Sequence, residues 1–404
     1  MALTLSVEEI LLDVIDAFKI RVPAINRMST DFRADSLKLN KTYDAHIASV
    51  PGVTEYDENS GGYQNGATDA RSLLEDVPVT VDQHKKVSLY AKHIDAIQDD
   101  KREYDKVIGN MGYALAKTMM NHIVGKFTSR EVSQSSEYTE ANSDYDAVNN
   151  VRDDMNAIGA AEMGRTGIVN TSVASYLHLD DRVLSADYKG DMQGGNACRV
   201  FENVAGFEQV IEWPELGTNN GSAVTISGIE ADDEVVTTAA AHGLAVGDRV
   251  TFQSLAGGGA GLADDGTIYH VVSVPSTTTA TVSATAGGSA VNVTTDYTGG
   301  TITRVENLTG MFFEPRAISI LGGIPDDFDG AAQLFGAPPT YQVTTLTDDD
   351  TGLTFAAIAE VQQGTLKSFL HITHVYGVSV GKQAATATAG DLTDYAGHRL
   401  VSAE

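Results

Sequence analysis

The stretch Val77-Pro-Val-Thr-Val-Asp-Gln-His-Lys-Lys-Val-Ser-Leu-Tyr90 contains the strongest indication of the architecture of this chain. Its first three valines, Val77, Val79 and Val81, alternate with proline and polar residues, which is the period of a β-strand. Pro78 favours an edge or projecting strand, because proline cannot donate to a sheet. With short alternations from Leu37 onward and a turn-rich Gly61–Gly66, the stretch predicts a long two-stranded arm over 37–90. A two-stranded hairpin is only marginally stable in water, so the arm is expected to need a partner.

Helices are predicted on both sides of the arm. Ser6 and Glu9 form a capping box before apolar residues at helical spacing, and Pro23 ends that helix. The longest helix is predicted over 99–127, about 40 Å at 1.5 Å per residue. His122 lies on its apolar stripe and is interpreted as a packed histidine. A further helix is predicted over 143–159 and a short strand over 165–170.

The centre of the chain differs in composition from its flanks. No lysine occurs between Lys189 and Lys367, and 221–303 is built largely from Gly, Ala, Ser, Thr, Val and Asp. Turn residues separate short strand-like runs, which is typical of an all-β module. The runs are 224–226, 234–238, 248–252, 268–274, 280–283 and 291–293, and strands of the flanking sequence are predicted over 340–345, 353–360 and 366–381.

The net charge of the chain narrows the classes of function that it can have. The 404 residues carry 27 basic and 55 acidic side chains, a net charge of -28. Such a surface disfavours tight nucleic-acid binding, which depends on Lys and Arg contacts to phosphates. The single cysteine, Cys198, cannot form an intrachain disulfide and is interpreted as idle. No apolar run is long enough to span a membrane, and the first residues lack a basic signal-peptide region, so synthesis in the cytosol is expected.

Candidate chemical sites are weak. Gly257–Gly261 lacks the Gly-Lys-Ser/Thr of a phosphate loop. His371 and His374 are three apart in a predicted strand and so point to opposite faces. Asp348–Asp350 lacks calcium-loop spacing, and Asp264–Gly266 is interpreted as a turn. We therefore expect no enzyme activity, no cofactor and no metal.

The order of elements resembles the major capsid protein of tailed bacteriophages, which has the Hong Kong 97-type fold that encapsulins share. Val77–Tyr90 resembles the descending strand of the extended loop in podovirus-type coat proteins, and Asp100–Tyr104 resembles the start of the spine helix. The segments 165–170 and 206–214 resemble the start of the axial domain. The segments 312–317 and 374–380 resemble the last elements of the axial domain and the returning strand. Within the insertion, 241–252 and 268–274 resemble small β modules of phage virion proteins.

This resemblance implies an α+β subunit with an all-β insertion and defined domains. The implied domains are an N-terminal arm (1–36), an extended loop (37–92), a peripheral domain with the spine helix (93–170), an axial domain (171–365) interrupted by the insertion (221–303), and a return strand with a C-terminal tail (366–404).

The resemblance also implies a structural role without catalysis. Subunits would tile an icosahedral shell around a phage genome as hexamers and pentamers, in the virion and, during assembly, in the host cytoplasm. Implied partners are a scaffolding protein held or released by the N-terminal helix, a portal, and a decoration protein as a further candidate; packaged DNA would be bound weakly, and no membrane is involved. The insertion is expected to face outward. Predicted inter-subunit contacts are Val77, Val79, Val81, His84, Lys85, Lys86 and Tyr63.

Three alternatives stay open at this point. Another virion protein, such as a decoration or tail protein, could contain the β module, but the long helix and arm argue against it. An encapsulin-type nanocompartment would share the fold, whereas the insertion and the N-terminal arm favour the phage protein. A hydrolase would need a catalytic cluster, and no such pattern stands out. Lysine crosslinking through Lys38, Lys41, Lys85 or Lys86 is not expected, because no partner for it is recognisable.

Overall fold

The computed structural model describes most of the chain. The described residues are 7–21, 23–48, 74–90, 101–132, 134–138, 145–157, 160, 162–180, 183, 200–231, 234–257, 261–264, 266–285, 287–325, 341–347, 354–362, 367–380 and 397–402. They form an α+β fold in two compact units. One unit comprises Met1–Lys126, Met155–Thr166 and Phe313–Gly397, and the other comprises Phe127–Asp154, Gly167–Phe312 and His398–Glu404.

The first three of the four described helices fall where the periodicity predicts them, whereas the short fourth helix was not predicted. The four are α1 Val7–Arg21, α2 Lys101–Lys126, α3 Tyr145–Ala157 and α4 Thr171–Leu177, with 3-10 turns at Pro23–Arg27 and Pro315–Ala317. The apolar side of α1 is buried, with Leu11 and Val14 at 0% exposure. Asn170 caps α4, its side-chain oxygen accepting from the Val173 N–H at 3.0 Å.

Most of the remaining ordered backbone is β structure. In chain order the strands are β1 Ser29–Leu37, β2 Thr42–Ala48, β3 Leu74–Thr80, β4 Gln83–Tyr90, β5 Ser135–Tyr138, β6 Thr166–Val169, β7 Val200–Val204, β8 Phe207–Glu212, β9 Val224–Glu230, β10 Val235–Thr238, β11 Arg249–Gly257, β12 Tyr269–Ser276, β13 Thr279–Ser283, β14 Tyr297–Arg304, β15 Leu308–Phe313, β16 Ile318–Pro325, β17 Tyr341–Thr347, β18 Thr354–Gln362, β19 Lys367–Val380 and β20 His398–Ser402.

The first unit is built on a six-stranded sheet. Its order is β1-β16-β19-β18-β17, and β4 pairs with β19 beside this path. β1 runs parallel to β16, while the other pairs are antiparallel. Helices α1 and α2 pack on each other and on this sheet, where Phe18 meets Phe355 edge-on at 5.4 Å between ring centroids. The described residues of the N-terminal segment therefore belong to the core of this unit through α1 and β1.

The expected single strand over 77–90 is two strands. β3 pairs with β2 in a separate two-stranded sheet, in register from Thr42↔Thr80 to Ala48↔Leu74. After Val81 and Asp82 the chain enters β4, which joins the large sheet by pairing with β19. Val81 and Asp82 lie between the two strands, and Asp82 is held there by other groups described below.

The second unit contains a closed barrel with strand order β10-β13-β12-β11-β14-β9. It occupies Val224 to Arg304, the range in which the sequence predicts an all-β module. Five of its strands, β9 to β13, overlap predicted runs. The predicted run 291–293 is not a strand, and the sixth strand, β14, was not predicted. Gly299 and Gly300 obscured β14 in the sequence, since glycine is depleted in strands. Gly300 adopts φ +136°, and a Cβ there would lie 3.0 Å from the side chain of Leu255.

The remaining strands of the second unit form another six-stranded sheet. Its order is β5-β20-β15-β6-β8-β7, with β20 parallel to β5. Its core includes the rings of Phe207 and Phe312, whose centroids are 4.9 Å apart. Gly167 in β6 leaves room for the Phe312 ring, because a Cβ there would meet that ring.

Candidate functional site

The two-stranded sheet of β2 and β3, called the ribbon below, has buried side chains at the end where Thr42 pairs with Thr80, which is called its root. Ala45, Val77 and Val79 are at most 1% exposed and pack with Val81 next to the ribbon. The same cluster contains Leu37, Leu321 and Val375 from β1, β16 and β19. The ribbon is thereby fixed to the sheet of the first unit by an apolar contact made within one chain.

Backbone contacts fix the direction of the root. The Asn40 N–H donates to the Val81 carbonyl at 2.7 Å, and the Val81 N–H donates to the Lys41 carbonyl at 2.9 Å. Asn40 takes φ +61°, a left-handed conformation that Asn tolerates in turns. A Cβ at Gly377 of β19 would overlap the carbonyl oxygen of Thr80 and lie 3.0 Å from the Cα of Val81. The ribbon root therefore crosses β19 where that strand has no side chain.

Asp82 joins the end of the ribbon to the long helix α2. Its Oδ2 lies 3.1 Å from Nζ of Lys126, and its Oδ1 lies 3.2 Å from Nε2 of His122. Burial lowers the pKa of His122, and the Asp82 carboxylate partly counteracts that effect. The His122 ring also meets the Tyr376 ring edge-on, with centroids 5.8 Å apart. His122 is packed, as the sequence predicts, but it also contacts a carboxylate that sequence spacing gave no sign of.

The predicted contact residues lie in different environments. Val77, Val79 and Val81 are buried inside their own chain, while His84 and Lys86 on β4 are exposed and Lys85 is half-buried. His84 Nε2 is 2.8 Å from the Thr373 hydroxyl on β19. Within the described residues β4 has a single strand neighbour, β19. Contact of these residues with another subunit stays a prediction, and Tyr63 lies outside the described residues.

Helix α1, the expected scaffold-binding element, is fitted closely to α2. A Cβ at Gly112 would lie 2.7 Å from the Cβ of Ala17 and 2.8 Å from the carbonyl oxygen of Val14. The Tyr104 hydroxyl donates to Oδ2 of Asp13 at 2.9 Å, and burial together with this carboxylate raises the pKa of Tyr104. Any displacement of α1 would have to break this contact between helices.

A polar cluster in the second unit holds the barrel to the residues that flank it. Arg130 donates to both carboxylate oxygens of Asp248, at 3.1 and 2.6 Å, and Asp248 is 1% exposed. Glu306 is fully buried and accepts from the Ser129 N–H, the Ser129 hydroxyl and Nη1 of Arg399. Burial lowers the pKa of Arg399, which Glu306 partly counteracts. These paired charges orient the barrel.

The second unit also brings together a serine, a histidine and an aspartate that the sequence does not place side by side. The Ser136 hydroxyl donates to Asp154 at 2.6 Å and lies 2.7 Å from Nε2 of His398. In a catalytic triad the carboxylate holds Nδ1 of the histidine, but here it holds the serine. Burial lowers the pKa of His398 to about 4. The arrangement is that of a hydrogen-bonded structural cluster.

Metal sites and membrane spans are absent from the described part of the chain. Among those positions, no group of three or more His, Cys, Asp or Glu side chains could hold a metal ion. No described helix is long and apolar enough to cross a membrane. Cys198 and Asp348–Asp350 lie outside the described residues.

No protein-family model matches the chain, and no curated protein matches it. Among solved structures, it is similar to the capsid of the cyanophage P-SCSP1u, with 10% identity and a TM-score of 0.40 over 94% of this chain and 87% of that one. It is similar to the capsid of Ralstonia phage GP4, with 7% identity and a TM-score of 0.40 over 93% and 86%. A virus-like particle from Pyrococcus furiosus matches with 7% identity and a TM-score of 0.40 over 97% and 98%. Similarity at this level carries no conclusion about activity.

Proposed function

We propose that the chain is a major capsid protein of a tailed bacteriophage, a structural subunit that self-assembles into the icosahedral shell around the genome. The observation that carries this proposal is the ribbon, which is anchored by its root and paired only to itself among the described residues. Residues 49–73 join its two strands in sequence. A two-stranded sheet is marginally stable alone.

The ribbon suits a contact between copies of the chain. Each of its two strands has one edge without a strand partner in the described residues, and such edges pair readily with another chain. Repeated identical contacts between copies close into symmetric assemblies. Hexamers and pentamers, a scaffolding protein, a portal and a decoration protein are the partners of this role, and the virion is its location.

The charge of the chain is compatible with a container. At a net charge of -28, an inner surface would not hold DNA tightly, because phosphate contacts need basic side chains. Contacts between such acidic subunits would depend on salt, which screens charges over about 8 Å at physiological ionic strength.

The proposal is tested by assembly of the purified chain. Negative-stain microscopy and sedimentation velocity of the full chain should show shells or capsomers. Replacement of residues 49–73 by a two-residue Asn-Gly turn should leave a folded subunit, because the root cluster is retained, but should abolish shells. Gly109→Ala is the matched control, since a Cβ at that position in α2 would meet no neighbouring atom within 4 Å.

Two results would overturn the proposal. One is a wild-type chain that stays a monomer at all concentrations and salt levels. The other is a loop-replaced chain that forms the same shells as wild type, which would show that the ribbon is not an assembly contact.

A further inference from the structure

We propose that the neck of the barrel, where the chain enters and leaves it, contains a binding pocket for a carboxylate ligand. The pocket has a volume of about 320 Å³, near the lower end of the range for small-ligand sites. The residues that matter for its chemistry are Ser222, Val224, His242, Leu244, Ile302 and Arg304.

Arg304 supplies the positive charge. It and Arg249 are the only basic residues in 221–304. Its guanidinium makes no hydrogen bond within the part of the chain that the structure describes, and its nearest carboxylate, Glu306, is 3.8 Å away. The oxygens of Glu306 already accept from Ser129 and Arg399. The charge of Arg304 is therefore left available to a ligand.

His242 supplies a second donor. Its Nδ1 accepts from the Leu244 N–H at 2.9 Å. In the neutral ring the proton is then on Nε2, and that atom has no hydrogen-bond acceptor among the described residues. A buried donor without an acceptor is unfavourable, so an oxygen atom placed beside it would stabilise the pocket.

The loop that carries His242 is held in place before any ligand binds. The His242 N–H donates to the Thr277 carbonyl at 3.0 Å, and Arg130 Nη2 donates to the Gly243 carbonyl at 2.7 Å. The Ala245 N–H donates to Asp248 at 2.8 Å. A binding loop fixed in this way loses little conformational entropy when it binds.

The chemistry of the walls favours a carboxylate with a short aliphatic part. One guanidinium, one neutral N–H donor and the exposed Ser222 hydroxyl match a single negative charge, whereas a phosphate dianion would need more positive charge in a chain this acidic. Val224, Leu244 and Ile302 provide an apolar wall beside these donors. The carboxylate could come from an acidic side chain of a partner polypeptide or from a free small acid.

Equilibrium dialysis of the full chain against radiolabelled butyrate tests the pocket. Parallel samples contain the capped peptide acetyl-Ala-Glu-Ala-amide, its Gln counterpart, or inorganic phosphate as competitors. We expect saturable butyrate binding at one site per chain, displaced by the Glu peptide and not by the Gln peptide or by equimolar phosphate. Tighter binding of the Glu peptide than of butyrate identifies a polypeptide source, and the reverse order identifies a free acid.

Two variants assign the binding to this pocket. Arg304→Gln should weaken butyrate binding at least tenfold. His242→Asn retains a side-chain oxygen for the Leu244 N–H and removes the Nε2 donor, so it should weaken binding about fivefold without unfolding the loop. Arg152→Gln is the control, because Arg152 is paired with its neighbour Asp153 outside the pocket.

The proposal is overturned by any of three results. These are no saturable butyrate binding at millimolar concentration, equal binding by Arg304→Gln and wild type, or preference for phosphate. The pocket belongs to the barrel and its neck, so the failure of shell assembly would leave this test unaffected.

Discussion

The barrel and the ribbon are both antiparallel β structures, yet they solve the problem of strand edges in opposite ways. The barrel is closed through β9 and β14, so each of its strands has two neighbours, and its core includes Phe252 and Tyr269 in edge-on contact at 5.5 Å. The ribbon has two strands, and its described core residues lie at its root. A closed barrel has no free strand edges, whereas a two-stranded sheet has two free edges and is only marginally stable without a partner. This difference is the reason why the assembly contact is proposed for the ribbon and not for the barrel.

Removal of the Phe252 ring from the barrel core tests whether the barrel unfolds independently of the ribbon, and it should have the largest effect of the changes considered. Phe252→Ala should lower the free energy of unfolding of the barrel by about 3–5 kcal/mol, because Phe252 is fully buried. Hydrogen exchange should show weaker protection of the backbone amides in β9–β14 and unchanged protection at the ribbon root. Gln253→Ala, at the exposed neighbouring position, is the control. Equal loss of protection at the ribbon root would show that the two regions unfold as one.

A side chain at the crossing of the ribbon and β19 should have the next largest effect. Gly377→Ala should reduce stability by about 1–3 kcal/mol, since its Cβ would overlap the backbone of Thr80. Chemical denaturation of the purified chain measures the change. Gly109→Ala in α2 should instead stabilise by up to about 1 kcal/mol, because Ala favours helix. A neutral effect of Gly377→Ala would mean that the root does not depend on this close approach.

The ion pair between Arg130 and Asp248 at the barrel neck should contribute less to stability, because the Arg130 side chain is partly exposed. Asp248→Asn should destabilise the attachment of the barrel by about 2 kcal/mol, less than the full loss for a completely buried pair. Arg130 is 38% exposed in this pair, so solvent compensates part of its charge. Calorimetry measures the unfolding of this variant, and Asp153→Asn, which removes a charge from the exposed pair of Arg152 and Asp153, is the control. No difference between the two variants would contradict the orienting role of Asp248.

Acid should destabilise the sheet under the ribbon, because His374 is buried in it. Burial, with a smaller effect of nearby His84, lowers the pKa of His374 from 6.5 to about 3. The unfolded chain then binds the proton more readily, so stability is complete above pH 6.5 and is lost as pH falls from 6.5 towards 3. At pH 5 the loss is about 2 kcal/mol.

The variant His374→Phe keeps the ring between Phe355 and Tyr376 and cannot titrate. Its free energy of unfolding should therefore fall less than that of wild type between pH 7 and pH 5, as measured by urea denaturation at each pH. Identical pH dependence of the two proteins would show that His374 is not protonated on unfolding in this range.

Elements with a strong local period were predictable from the sequence. The apolar spacing in α1 and α2 follows the helical repeat, and both helices begin and end within a few residues of their predicted bounds. β19 was predicted over 366–381 from its alternation and is observed over Lys367–Val380. The barrel strands followed from short apolar runs between turn residues, except β14, where glycine removed the local signal.

The contacts that define the candidate sites were not predictable, because each joins residues far apart in sequence. Asp82 meets His122 and Lys126 only after the chain turns from the ribbon into β4. Arg130 meets Asp248, and His242 shares a pocket with Arg304, only after the barrel closes. Nothing near any of these residues in the sequence marks its partner.

Three of the four described helices, most strands, the approximate range of the β module and the acidic charge follow from the sequence, because these depend on composition and on the periods of 3.6 and 2. The division of 77–90 between ribbon and sheet, the close approaches at Gly377 and Gly112, and the pocket lined by Arg304 at the barrel neck became visible only in the folded chain. These features depend on steric fit and charge pairing between distant segments, which no local pattern records.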